Sequence, residues 1–183
     1  NGELRLKKEL WGKLLHTALG DAFTDDTSLF IEHTYLAITA ELIAHEVLGI
    51  DIAGIDPVHL VSGTAFAQAG VHGVVESDFF DWPAEVPGGE QVVRAIARRV
   101  KQIDWSETQH DLLKHLYESV ITSEQRHSLG EYYTPDWLAE AVVERVVDDP
   151  ATQRVLDPAC GSGTFVFHAV RRALDALERS GVE

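Results

Sequence analysis

Arg154-Val155-Leu156-Asp157-Pro158-Ala159-Cys160-Gly161-Ser162-Gly163-Thr164-Phe165 carries the densest structural signal in the chain. Two aliphatic residues run into an acid, a proline, small residues and a glycine pair, and an apolar helical pattern continues from Phe165 to about residue 179. That order predicts a strand over 154–157, a tight turn and a helix start. Glycines in such a turn let the backbone approach a ligand, and the amides of a helix N-terminus favour negative or polar ligand groups. A triphosphate-binding loop would need Lys and then Ser or Thr after the last glycine, where Thr164-Phe165 stand. A dinucleotide fingerprint would need Gly or Ala in the place of Val166.

The carboxylate of Asp157 sharpens the reading. Beside a close-approach turn it suits an ammonium group, so an amino acid joined to a nucleoside fits, and S-adenosylmethionine is such a ligand. Upstream lies a second stretch, Gly130-Glu131-Tyr132-Tyr133-Thr134-Pro135. Thr134-Pro135 predicts an N-cap followed by proline at the first helical position, with Asp136, Leu138, Ala141, Val142 and Val146 carrying a helix to residue 147. Asp148-Asp149-Pro150 ends it. Helix, strand and helix in this order begin an alternating α/β sheet. A lone strand completes no sheet. The segment 154–157 is therefore expected to be either poorly ordered or covered by the helical unit and by the helices on each side of it.

Before residue 130 the patterning is helical. Residues 3–19 repeat apolar positions at helical spacing, and Asp25-Asp26-Thr27-Ser28 supplies caps for a helix over 29–48 that Gly49 ends. Asp56-Pro57 opens a third helix reaching residue 68, residues 90–103 form another, and Ser106 with Glu107 and Gln109 caps one reaching residue 120. His33 and His45 stand twelve apart and His110 and His115 five apart, which is not the spacing of paired metal ligands. Core or surface roles are expected for them. The aromatic run Asp78-Phe79-Phe80-Asp81-Trp82-Pro83 reads as a loop pinned to the core by its rings, in preference to a stacking surface.

At 183 residues and 45% hydrophobic, the chain holds one domain, or one small domain and part of another. Its net charge is −15, with 10 bases and 20 acids before Gly130 and 5 and 10 from it onward, so the acidity is even. No basic patch for phosphates is visible; Arg94, Arg98 and Arg99 are the nearest cluster and read as a solvated helix face. The single cysteine, Cys160, excludes an internal disulfide and suits a reducing cytoplasm, and no membrane span or signal peptide is indicated. Asn1 in place of Met, and a helical pattern running almost to Glu183, read as the ends of a piece cut from a longer protein.

Taken together, Gly130 to Pro135 followed by Asp157 to Phe165 closely resembles the cofactor-binding motifs of N6-adenine DNA methyltransferases. More specifically, it is similar to the methylation subunits of type I restriction-modification systems and to fused restriction-methylation enzymes. Leu112-Leu113-Lys114-His115-Leu116-Tyr117-Glu118 and Arg126-His127-Ser128-Leu129 resemble the helical approach to the tyrosine motif in those families. The resemblance implies a mainly α chain: a helical N-terminal domain over 1–129, then the beginning of a Rossmann-like α/β methyltransferase domain over 130–183. It implies an S-adenosylmethionine site drawn from Tyr132, Tyr133, Thr134, Pro135, Asp157, Pro158, Ala159, Cys160, Gly161, Gly163 and Phe165. Asp157 would contact the methionine end, Gly161 and Gly163 would give backbone access, and Tyr133 and Thr134 would reach the methionine carboxylate from the other side. Pro135 would fix the helix entry. Of the two tyrosines, one is expected only to pack, and Cys160 is read as a small packing residue. DNA and a specificity or restriction subunit are the implied partners.

Two elements of such an enzyme are missing. The six prolines include no adjacent pair, so the (Asp/Asn/Ser)-Pro-Pro-aromatic motif that holds a flipped-out adenine is absent, and no catalytic or metal-binding residue is assigned. The acid that would take the ribose hydroxyls at the end of a following strand is absent too. The chain is therefore expected to be the N-terminal part of a site-specific adenine methyltransferase, inactive and weak or devoid in cofactor binding by itself. The alternatives are a non-enzymatic interaction module with a partial methyltransferase lobe, and a methyltransferase acting on protein or RNA.

Overall fold

The computed structural model describes residues 2–19, 26–73, 75, 79–105, 112–122, 126 and 133–181. It divides into two compact units, Asn1–Thr108 with Leu116–Gly130, and Gln109–His115 with Glu131–Glu183. The chain is mainly helical, and no strand occurs among the described residues.

The first unit holds α1 (Gly2–Leu19), α2 (Thr27–Val47), α3 (Pro57–Val61), α4 (Thr64–Gln68), a 3-10 turn (Trp82–Glu85), α5 (Gly89–Val100) and the later part of α6 (Leu112–Val120). Asp26 starts α2 as its N-cap, its carboxylate accepting the Ser28 amide at 2.9 Å. Along α2 the buried residues Leu29, Phe30, Thr34, Ile38, Leu42, Ile43 and His45 cover more than one face, so α2 is the central helix of the unit, with α3 and α5 packed against it. Trp11, Leu29, Phe30 and Ile121 form one core cluster, on which Phe79, Phe80 and Trp82 lie. Phe30 stacks on Trp82 at 6.2 Å between centroids, and the Trp82 indole donates to the Thr34 hydroxyl at 3.0 Å. Lys7 pairs with the buried Asp81 and lies 3.5 Å from Glu85. These contacts pin the aromatic loop as its composition predicts; Asp78 lies outside the described residues. Arg94, Arg98 and Arg99 are exposed on α5, away from its buried Val93, Ile96, Ala97 and Val100.

Residues 56–68 depart from the single helix expected. They form α3 and α4, separated at Gly63, whose φ of +75° is left-handed and whose Cβ, if present, would meet the Val75 carbonyl oxygen at 2.2 Å. The capping residues Ser106, Glu107 and Gln109, like Asp25 and 127–132, lie outside the described residues.

His33 and His45 are core residues of the kind expected. Burial holds both below the ordinary histidine range, against a raising effect of Glu32 on His33 and of the Glu41 carbonyl on His45. His45 Nδ1 lies 2.6 Å from that carbonyl, and its ring lies 3.8 Å from Phe66. Both Nε2 atoms are buried without a hydrogen bond among the described residues. With folded values below the unfolded one, the unfolded chain binds more protons once the pH drops under about 6.5. Stability from this source is full above that pH and falls as acid approaches the folded values, by up to about 1.4 kcal/mol per histidine per pH unit. Urea unfolding at pH 7.5 and 5.5 checks this: the midpoint is expected to fall in acid, and His45→Gln is expected to flatten the fall. An unchanged slope in that variant would oppose the assignment.

The second unit contains α7 (Asp136–Val146) and α8 (Thr164–Ser180). Val143, Val147 and Ala169 are buried where the two helices pack, with Phe165 against them. Arg172 on α8 donates to the Val147 carbonyl at 3.2 Å, closing the end of α7. Pro135, not Thr134, is the N-cap of α7; its carbonyl accepts the Leu138 and Ala139 amides at 3.0 and 3.1 Å. The reason is the Thr134 carbonyl, which is engaged by Lys114 Nζ at 2.9 Å in place of a helical amide.

The strand expected over 154–157 is not formed. Those residues belong to no regular element, and Val155 and Leu156 are 50% and 85% exposed, so of the two alternatives expected for the segment, cover by its flanking helices is not found. A strand is defined by its ladder, and no neighbouring strand supplies one among the described residues.

Candidate functional site

The turn between residue 157 and α8 is built by its own polar atoms. Asp157 Oδ1 accepts the Ala159 amide at 3.1 Å across Pro158, and the Gly163 amide bonds the Cys160 carbonyl at 2.8 Å. Gly161 and Gly163 take φ of +55° and +91°, values that disfavour any side chain. A Cβ at either would meet nothing within 4 Å, so the backbone of the turn faces open space. Gly163 is the N-cap of α8 and offers no side-chain cap, while Ser162 and Thr164 hydroxyls lie 3.3 Å apart. Asp157 is half-buried, and its Oδ2 is buried with no hydrogen-bond partner among the described residues. The carboxylate thus shapes the turn with one oxygen and leaves the other unspent. Pro158, Ala159 and Cys160 are exposed.

Phe165 packs into the α7–α8 core, and its ring is committed to that packing. Tyr133 and Thr134 are half-buried and Pro135 is exposed at the head of α7; Tyr132 lies outside the described residues. Around Thr134 stands a cluster not singled out from the sequence. Lys114, 7% exposed, bonds the Thr134 carbonyl and has its Nζ 3.8 Å from Asp136 Oδ1. His168 Nε2, from a residue 8% exposed on α8, lies 3.7 Å from the same oxygen. The head of α7 thus lies beside the first turns of α8. An acid directly after Pro135 was a readable first-turn signal; nothing in the sequence marks Lys114 or His168 as its neighbours.

A cavity of about 250 Å³ opens beside this cluster, lined by Val143, His168, Glu140, Glu144 and Asp175, with Arg171, Arg172 and Arg179. Three guanidinium groups and three carboxylates line it, so the lining is balanced in formal charge. No group of three or more His, Cys, Asp or Glu among the described residues could hold a metal ion.

Residues 108–180 match the N-6 DNA Methylase family. The likeness to that family is confined to this part of the chain. Over 86 residues the chain is 30% identical to the type I restriction enzyme MjaVII methylase subunit of Methanocaldococcus jannaschii. It is 31% identical, also over 86 residues, to the type I restriction enzyme EcoEI methylase subunit of Escherichia coli. Each match covers 46% of this chain but only 15% and 17% of those relatives' lengths. No solved structure gives a significant match. The matched segment takes in the Asp157 turn, the Thr134 loop and both α7 and α8, and the Lys114 cluster lies inside it as well. No helix among the described residues is long and apolar enough to cross a membrane.

Proposed function

We propose that this chain is the N-terminal part of a site-specific DNA adenine-N6 methyltransferase of a restriction-modification or phage-defence system, carrying the S-adenosylmethionine-binding motifs. The observation that carries the reading is Asp157, whose Oδ1 is spent on the turn while its buried Oδ2 has no partner among the described residues. Beside it, Gly161 and Gly163 leave the backbone open where a side chain would stand. These residues fit an amino acid joined to a nucleoside. Asp157 would take the ammonium end, with Gly161 and Gly163 beside the ligand body and Pro158, Ala159 and Cys160 completing the turn. Tyr132, Tyr133, Thr134 and Pro135 would wall the other side, and Phe165 would hold the wall through its packing. The cofactor, when bound, supplies the methyl group; the chain's own residues bind and orient it and exclude water.

The exposed apolar residues of the second unit support an α/β domain begun here. Leu138, Val142 and Val146 recur every four residues on α7, and Val166, Val170 and Leu174 do so on α8. They flank the buried Ala139, Val143 and Ala169 and widen the apolar face of each helix beyond its buried residues, as helices covering a sheet present them. We assign residues 1–129 to a helical N-terminal domain and 130–183 to the beginning of the methyltransferase domain. In the whole protein the partners would be DNA and a specificity or restriction subunit, and the compartment the cytoplasm. Calorimetric titration of S-adenosylmethionine into the complete protein and its Asp157→Ala variant tests the reading: heat lost in the variant supports it, and equal titrations oppose it.

A further inference from the structure

We propose that Lys114 is a positioning residue for the loop that heads α7, an inference that rests on reading this loop as one wall of the cofactor site. An amine on a four-carbon stem, buried to 7% exposure, costs folding energy unless its charge and donors are met. An apolar residue of similar length would fill the same space without that cost. What the lysine adds is a fixed place for the Thr134 carbonyl, held at 2.9 Å, and through it for Tyr133 and Pro135 on either side.

That bond also sets where α7 begins. With its carbonyl taken, Thr134 leaves the first helical acceptor role to Pro135, whose oxygen receives the Leu138 and Ala139 amides. Asp136 then becomes the first residue of the helix, where a carboxylate suits the positive end of the macrodipole. Its Oδ1 is buried with no hydrogen bond among the described residues and sits between Lys114 Nζ at 3.8 Å and His168 Nε2 at 3.7 Å. Lys114 and Asp136 thus join the loop to the first turn of α7, with His168 of α8 beside them. A loop held in this way needs no ordering when a ligand arrives, which lowers the cost of binding.

The test compares Lys114→Met, which keeps length and removes the donor, with Lys114→Arg, which restores a cation and N–H donors. Hydrogen exchange is read at the Leu138 and Ala139 amides of the complete protein without cofactor, with the Phe167 amide, bonded to Gly163 at 2.8 Å, as the control in α8. Lys114→Met is expected to speed exchange at Leu138 and Ala139 by about tenfold or more, the worth of one hydrogen bond from a charged donor. Phe167 is expected to stay unchanged, S-adenosylmethionine to bind about tenfold more weakly, and Lys114→Arg to recover most of both effects. Unchanged exchange at Leu138 and Ala139, an equal rise at Phe167, or no rescue by arginine overturns the proposal. Should Lys114→Met fail to fold, Lys114→Leu, which also lacks a donor, carries the same comparison. A wild-type protein that binds no S-adenosylmethionine removes the cofactor-site reading and leaves the exchange result to decide whether Lys114 anchors the loop. Intact cofactor binding with unaltered exchange and affinity in Lys114→Met removes Lys114 alone.

Discussion

Asp157→Ala in the complete protein is expected to weaken S-adenosylmethionine binding by roughly 10- to 150-fold, the ~1.5–3 kcal/mol of a hydrogen bond to a charged group. Two losses combine in that number. The turn loses the acceptor that holds the Ala159 amide at 3.1 Å, and the ligand loses the oxygen that now has no partner. Asp157→Asn separates them, because the amide keeps one acceptor for the turn while giving up the charge. It is expected to retain the wild-type melting temperature and to lose most of the affinity. Unaltered affinity in both variants would leave the carboxylate with a role in the turn only.

Phe30→Ala is expected to cost about 3–5 kcal/mol of the first unit's stability, the range for removing a fully buried aromatic ring. Phe30 is 2% exposed and touches Trp11 at 5.2 Å, Phe80 at 6.1 Å and Trp82 at 6.2 Å between centroids. Its removal opens a cavity between α1, α2 and the aromatic loop, so three ring contacts go together. Phe30→Leu leaves a smaller void and should cost less. Urea unfolding followed by tryptophan fluorescence reads the effect, since Trp11 and Trp82 both border the site. A loss under about 1 kcal/mol would mean that the loop rings close over the gap.

The helices were legible where short-range signals agree. Asp26 caps α2 as an N-cap acid does, and Gly49 beyond its end takes a φ of +72°. Gly63 was not read as a break, because the oxygen that forbids a side chain there comes from Val75, twelve residues away. The same limit applies to the start of α7. Thr134-Pro135 carries the local signature of a cap and a first helical residue, yet Lys114, twenty residues upstream, takes the carbonyl and moves the boundary by one. The Asp157 turn was legible because glycines at positive φ and an acid before proline are demanded locally. The strand over 154–157 was not, since aliphatic composition states only a preference for a ladder, and a ladder needs a neighbour. Lys114, Asp136 and His168 come together across 54 residues of sequence, in a pattern that no spacing rule encodes.

The most direct measurement is the sequence of the reading frame that encodes this chain, followed past Glu183. An adenine-N6 methyltransferase needs an acid at the end of the next strand to take the cofactor ribose, and an aromatic clamp for the flipped base. The expected result is a frame that continues into both, with an (Asp/Asn/Ser)-Pro-Pro-aromatic segment downstream of α8. A frame that stops near Glu183 with no such segment would contradict the assignment of this chain to a methyltransferase.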